Sequence, residues 1–326
     1  MRTFKRVAIP ILFLAILVGV NTVCSYLLIP YTFTRYKLHT IETETFDDLI
    51  LGSSHGATNI DPAYVSHVTK RSAFNAAQGE EFPVDSYFFL KDAVTAGHAP
   101  GRVIYEFDPN YWITAQEVDS TFSGLFGEMR MSGTKIQYFF AKIWKADFRT
   151  FCAPWYFYRE QWSLIPENLE VKRSDVYRNY GIEIFDTDTQ TLEQDGFMAI
   201  HPGKWNDQIV PREWSEAMLQ KDARKFFVML AEYCGRMKID LVVVTTPIPD
   251  ETLRACADSY AAASEEMQSL AEQYGFRYLD FTSGQLLSEN EDLTDPDLFA
   301  DWDGHMYEET AERFSQVLGE LCVIRG

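Results

Sequence analysis

The sequence predicts an α/β fold, a three-layer α/β/α sandwich around a five-stranded parallel sheet. Three observations carry this. Short apolar runs alternate with stretches of helical periodicity, which is the pattern of a parallel sheet with helices on both faces. The clearest run, Leu241-Val242-Val243-Val244, is apolar at every position, as a strand buried on both sides must be. The runs also end abruptly in polar turns, as in Leu49-Ile50-Leu51 followed by Gly52-Ser53-Ser54-His55-Gly56.

The chain has 326 residues, 46% of them hydrophobic and 15% aromatic, which fits a folded protein with a full core. Residues 1–45 read as a cytoplasmic N-terminus, a transmembrane signal anchor and a stalk. Val7 to Pro30 carries no charge, and its 24 residues exceed the roughly 20 that a spanning helix needs. Pro10 lies near the start, where a helix tolerates it. Arg2, Lys5 and Arg6 precede the span and Arg35 and Lys37 follow it. That slight N-terminal excess puts the N-terminus in the cytoplasm and the rest outside. A cleaved signal peptide would have a shorter apolar region and a small-residue cleavage site, and neither is seen.

Residues 46–326 are expected to form the α/β domain. The strands are Leu49–Leu51, Ser72–Ala76, Arg102–Phe107, Leu241–Thr245 and Arg277–Phe281. Asp61 as N-cap and Pro62 at the first turn open a short helix. Val84–Ala96, Glu216–Arg236, Thr252–Tyr274 and Met306–Cys322 supply the longer helices. Between about 111 and 215 the alternation is lost in a stretch rich in Trp, Tyr and Phe. It reads as an insertion of mixed helix and loop, either a cap over a substrate groove or a subdomain burying its own aromatics.

The net charge of −19 argues against nucleic-acid binding, which needs a basic face. Cys152, Cys234, Cys256 and Cys322 follow the span with no metal-like spacing, so bridges and buried free thiols stay equally open. No dinucleotide or phosphate loop is present, and no cofactor is expected.

In a parallel sheet all strands end at one rim. Four turns should meet there: Ser53-Ser54-His55, Gln78-Gly79, Asp108-Pro109-Asn110 and Thr245-Thr246-Pro247, joined by Asp301, Asp303 and His305 before the last helix. A serine nucleophile needs a base, an anion behind the base and donors for an oxyanion. On its own, Ser54 would more often cap the helix that follows it. Glu80 and Glu81 read as a solvated loop.

With these blocks in this order, the chain resembles the SGNH (GDSL-type) hydrolase superfamily, which has a flavodoxin-like fold. Gly52-Ser53-Ser54 matches its first block, Gly79 its second and Asn110 its third, where Asp108 replaces the usual glycine. His305 matches the fifth. The resemblance covers most of 45–110 and 216–322, and the anchor is similar to that of relatives acting on teichoic acid or alginate. It implies Ser54 as nucleophile, His305 as base, and Gly79, Asn110 and His55 at the oxyanion or substrate. The acid should be Asp303, with Asp301 as the alternative if the loop carries one more residue. The implied activity is an extracytoplasmic serine esterase or O-acyltransferase acting on an acylated carbohydrate or polymer. The alternative is an inactive scaffold that binds such a polymer or a membrane-bound O-acyltransferase partner.

Overall fold

A computed structural model describes residues 2–116, 125–144, 149, 153–203 and 213–324. The chain forms two compact units, one of residues 1–36 with 117–181 and one of residues 37–116 with 182–326.

Among the described residues the larger unit holds seven strands: β1 (Asp48–Leu51), β2 (Ala73–Asn75), β3 (Arg102–Glu106), β4 (Gln190–Leu192), β5 (Met198–Ile200), β6 (Asp240–Thr245) and β7 (Arg277–Asp280). Five of them form one sheet in the order β2-β1-β3-β6-β7, with every pairing parallel. The order doubles back between β1 and β3, as in flavodoxin-like folds. At that reversal the loops leaving the two strands part and open a crevice at the carboxyl rim.

The strand runs explain the two layers. Alternate residues Ile50, Ile104, Val242 and Val244 enter a core built with Phe281, Phe314 and Leu318. Here helices Pro62–Thr69 and Glu308–Val323 pack together against the sheet. On the opposite face Tyr105 and Trp112 meet Phe227, and Phe88 meets Phe226, joining helices Pro83–Ala96 and Lys221–Met237. Each fully buried Phe or Leu of this kind is worth roughly 1.5–3 kcal/mol over its exposed state.

Local signals set the ends. Asp61 accepts from the Ala63 N–H at 2.7 Å and Pro62 takes the first turn, so that helix starts where the sequence places it. The helix expected over 252–274 is instead two, Asp250–Ala255 and Ala257–Tyr274, broken where Cys256 leaves helical geometry at φ −119° and ψ 21°. The hairpin β4–β5 lies within the stretch read as insertion. Its Asp195 carbonyl accepts from Asn75 N–H at the end of β2. Gly196, at φ +87°, has no room for a Cβ, which would sit 2.1 Å from the Asn75 oxygen.

The smaller unit contains the helix Arg2–Leu28. Its segment Ala8–Leu28 is long and apolar enough to cross a membrane. Trp155 Nε1 donates to Asn21 Oδ1 at 2.8 Å. Asn168 and Lys172 donate to the carbonyls that the helix end leaves open, those of Leu27, Leu28, Tyr26 and Ile29. Arg35 pairs with Glu128 and lies 4.2 Å over the Tyr177 ring.

Cys234, Cys256 and Cys322 are buried free thiols, and Cys24 is also free. Cys152 lies outside the described residues.

Candidate active site

The site forms at the rim where β1 and β3 end. Leaving β1, Gly52 adopts φ +142°, which favours glycine, and a Cβ there would lie 2.7 Å from Glu106 Cβ. The chain then starts the short helix Ser54–Asn59. Its N-cap is Ser53, whose Oγ accepts from the His55 N–H at 3.3 Å. Ser53 is held further by Glu106, whose Oε2 accepts both its N–H and its O–H at 2.8 Å. The capping duty expected of Ser54 thus falls to its neighbour. Ser54 Oγ instead lies 2.8 Å from His305 Nε2.

The other ring nitrogen of His305, Nδ1, is 2.6 Å from Asp301 Oδ2. An ionised carboxylate can only accept, so Nδ1 carries the proton and Nε2 is left to accept from the Ser54 hydroxyl. Asp301 Oδ1 gathers the N–H groups of Asp303, Gly304 and His305 at 3.0, 3.0 and 3.2 Å. Burial works to raise the Asp301 pKa. The His305 hydrogen bonds and charge, with that of His55, outweigh burial and bring it down to about 2. The sequence ranks Asp303 first for the place behind the imidazole, but here Asp301 occupies it. The loop makes a turn around the Asp301 carboxylate, which brings a residue four before His305 back to its ring. Asp303 lines the cleft.

The loop is pinned by residues that the sequence reading passes over. Asn59 is fully buried. Its Nδ2 donates to Gly304 O at 2.9 Å and to Thr246 Oγ1 at 3.1 Å, and its Oδ1 accepts from the Met306 N–H at 2.9 Å. One amide thus ties the helix after Ser54 to both sides of His305. Thr252 Oγ1 adds a bond to Trp302 O at 2.7 Å. Gly304, at φ +109°, packs against Ile248, where a Cβ would come within 2.8 Å.

His55 is buried, and its Nδ1 faces Asp108 at 3.3 Å and Glu106 at 3.9 Å. Burial opposes its charge, but the Asp108 hydrogen bond and the charges of Asp108, Glu106 and Asp301 prevail and lift its pKa to about 9. Asp108, the nearer carboxylate, is the counter-charge. Glu106, desolvated and beside Asp108, is itself pushed up to about 7. Asp108 therefore has two tasks, pairing with His55 and accepting the Asn110 N–H at 2.8 Å. Glu106 was legible as a carboxylate inside an apolar strand run, and Asn59 gave no such signal.

The His55 and His305 rings lie 4.6 Å apart. With Ser54 they line a cleft of about 490 Å³, to which Asp108, Asn110, Tyr111, Thr114, Glu213 and Asp303 also contribute polar groups. That volume lies in the range of clefts that take small molecules. Gly79 sits beside the serine: a Cβ built on it would be 3.9 Å from Ser54 Cβ. Thr245 and Thr246 are structural ties, to the Tyr278 hydroxyl and to Asn59. Glu81 is not solvated. It is buried, accepts from Ser86 Oγ, and burial drives its pKa well up, with Lys37 as an opposing charge.

No family model matches the chain, and no curated protein matches it. Among solved structures it is similar to a Desulfitobacterium hafniense protein described as lipolytic and of the G-D-S-L family. Identity is 11%, the alignment covers 84% of this chain and 99% of that one, and the TM-score is 0.39. A likeness of that size carries no chemistry across, so function rests on the geometry of Ser54, His305 and Asp301.

Proposed function

We propose that the chain is a membrane-anchored serine esterase or O-acyltransferase acting on acyl esters of a cell-envelope polysaccharide or polymer. The observation that supports it most is the His305 ring, bonded to Ser54 Oγ through one nitrogen and to Asp301 through the other. In this reading Ser54 Oγ attacks the ester carbonyl carbon while its proton passes to His305 Nε2. Asp301 holds the tautomer and stabilises the imidazolium. Gly79 N–H and the Asn110 amide serve the oxyanion, and the His55 charge on the cleft wall favours the same developing anion. Collapse releases the alcohol, which leaves with the proton from His305. Water or a sugar hydroxyl then attacks the acyl-serine, giving its proton to His305, and Ser54 recovers a proton as the acyl group departs. The apolar helix Ala8–Leu28 motivates the anchor, and a cleft at the rim of the sheet suits a substrate presented by a large carrier.

A fluorophosphonate probe tests the core of this. Labelling of the full chain is expected, and it should vanish in Ser54→Ala and fall sharply in His305→Ala. A folded chain that resists the probe, and turns over p-nitrophenyl acetate no faster than Ser54→Ala, would instead be a binding scaffold.

A further inference from the structure

The smaller unit exposes aromatic side chains where a soluble surface would carry charge. Its helix starts at Gly133 and continues as a π-turn over Phe139–Ile143. Tyr138, Phe139 and Ile143 are buried along one side. Ile136, Phe140 and Trp144, four residues apart on the other side, are 43%, 63% and 58% exposed. Trp162 and Leu164 are exposed as well, at 56% and 39%. The charge around this helix runs against the rest of the chain. Residues 125–159 contain six Lys and Arg against two Asp and Glu, in a protein of net charge −19, and of the six Lys135 is buried against the Gly127 and Met129 carbonyls.

The anchor helix supplies an independent length argument. Ile9 to Val20 are exposed, and among the described residues the tie to the rest of the unit begins at Asn21, bonded to Trp155. Counted from Ile9, the exposed apolar rod is about 18 Å long at ~1.5 Å per residue. A bilayer core is about 30 Å thick. The missing 12 Å or so corresponds to about eight residues, which takes the span on through Leu28. That stretch is the part of the helix against which Trp155, Asn168 and Lys172 are packed. An inserted anchor therefore draws the 153–173 segment down to the lipid boundary. Trp and Tyr are the side chains that favour that depth, and Lys and Arg favour anionic headgroups.

We infer that this unit is seated in the lipid–water interface, with the Ile136–Phe140–Trp144 face and Trp162–Leu164 in contact with an anionic bilayer. The inference rests on the anchor reading above. It makes the unit a monotopic attachment beside the span, with basic side chains at headgroup level and aromatic ones among the upper acyl chains.

The test uses the full chain in vesicles of phosphatidylcholine and dibrominated phosphatidylglycerol. None of the seven tryptophans lies in the anchor, and Trp155 is bonded to it, so quenching of Trp155 reports insertion alone. The double variant W144F/W162F, conservative and at exposed positions, should lose most of the lipid-quenched emission while Trp155 stays quenched. Quenching that is unchanged in W144F/W162F but lost in W155F would overturn the interfacial seat and leave the anchor standing. If alkaline carbonate strips the chain from the vesicles and W155F changes nothing, the anchor reading itself falls and this inference with it. Protection of Trp144 from acrylamide by a soluble acidic polymer, without lipid quenching, would assign the face to that polymer and overturn a lipid contact.

Discussion

Two adjacent serines with one backbone turn between them have different fates, because each has a different neighbour. Ser53 is spent on Glu106 and on capping, while Ser54 faces His305. Ser54→Ala should abolish ester turnover, with a loss on the order of 10³-fold or more, whereas Ser53→Ala should cost mainly stability. The two aspartates separate in the same way. Asp301→Asn removes the group that sets the His305 tautomer and should lower kcat by about 10³–10⁴-fold. Asp303 lines the cleft and does not stand behind the imidazole, so Asp303→Asn is expected to change kcat less than tenfold. Steady-state kinetics on p-nitrophenyl acetate compares all four. His55 gives a pH signature. Its folded pKa lies near 9, above the unfolded value of 6.5, so its charge contributes stability that is complete below pH 6.5 and is lost as pH rises through 9. Urea midpoints of wild type and His55→Gln should differ most near pH 6 and converge towards pH 9.

The element that decides the site is the loop from Ala300 to His305, and Asn59 decides the loop. Its side chain satisfies Gly304 O and Met306 N–H, one on either side of His305, and reaches Thr246 at the end of β6. Asn59→Ala would leave two buried backbone groups unpaired, at about 1–3 kcal/mol each. A stability loss of about 3 kcal/mol by urea unfolding is expected. Activity should fall further than the unfolded fraction explains, since the imidazole is no longer held against Ser54. A variant with intact activity after such a stability loss would mean that the loop is held by other contacts. Gly52 is a second element-scale constraint: Gly52→Ala drives a Cβ into Glu106 and demands an unfavourable φ, so misfolded protein is the expected product.

At the scale of the whole molecule, the sheet order brings residues 54 and 305 together from nearly opposite ends of the chain. The same chain carries a helix long and apolar enough to cross a membrane, with Ile9 to Val20 exposed. Under the anchor reading the full chain should stay with membranes through an alkaline carbonate wash, and a chain lacking residues 2–30 should not, as immunoblots of the two fractions would record. Release of the full chain by carbonate would replace the anchor with a processed leader.

Much of this was legible in the order of residues. The apolar runs Leu49–Leu51 and Leu241–Val244 mark the inner strands β1 and β6, because burial on both faces leaves no room for alternation, while β3 and β7 show as apolar stretches interrupted by charge. Gly52, Ser54, Gly79, Asn110 and His305 could be placed at one rim because the strands of a parallel sheet all end on the same side. Local pattern does not reach the contacts that depend on where side chains meet in space. Whether Asp301 or Asp303 stands behind His305 depends on a loop turning around a carboxylate, and spacing of two against four does not settle that. The duties of Asn59, Glu106 and Asp108, and the burial of Glu81 against Lys37, join residues far apart in the chain. The sequence by itself determined the five strands of the parallel sheet and which polar turns share its carboxyl rim, since periodicity and chain direction are local properties, but it did not show the hairpin β4–β5. Only the tertiary structure decided which acid, which cap and which buried charge serve His305 and Ser54, because those depend on distances of about 3 Å between elements that the chain brings together only once it is folded.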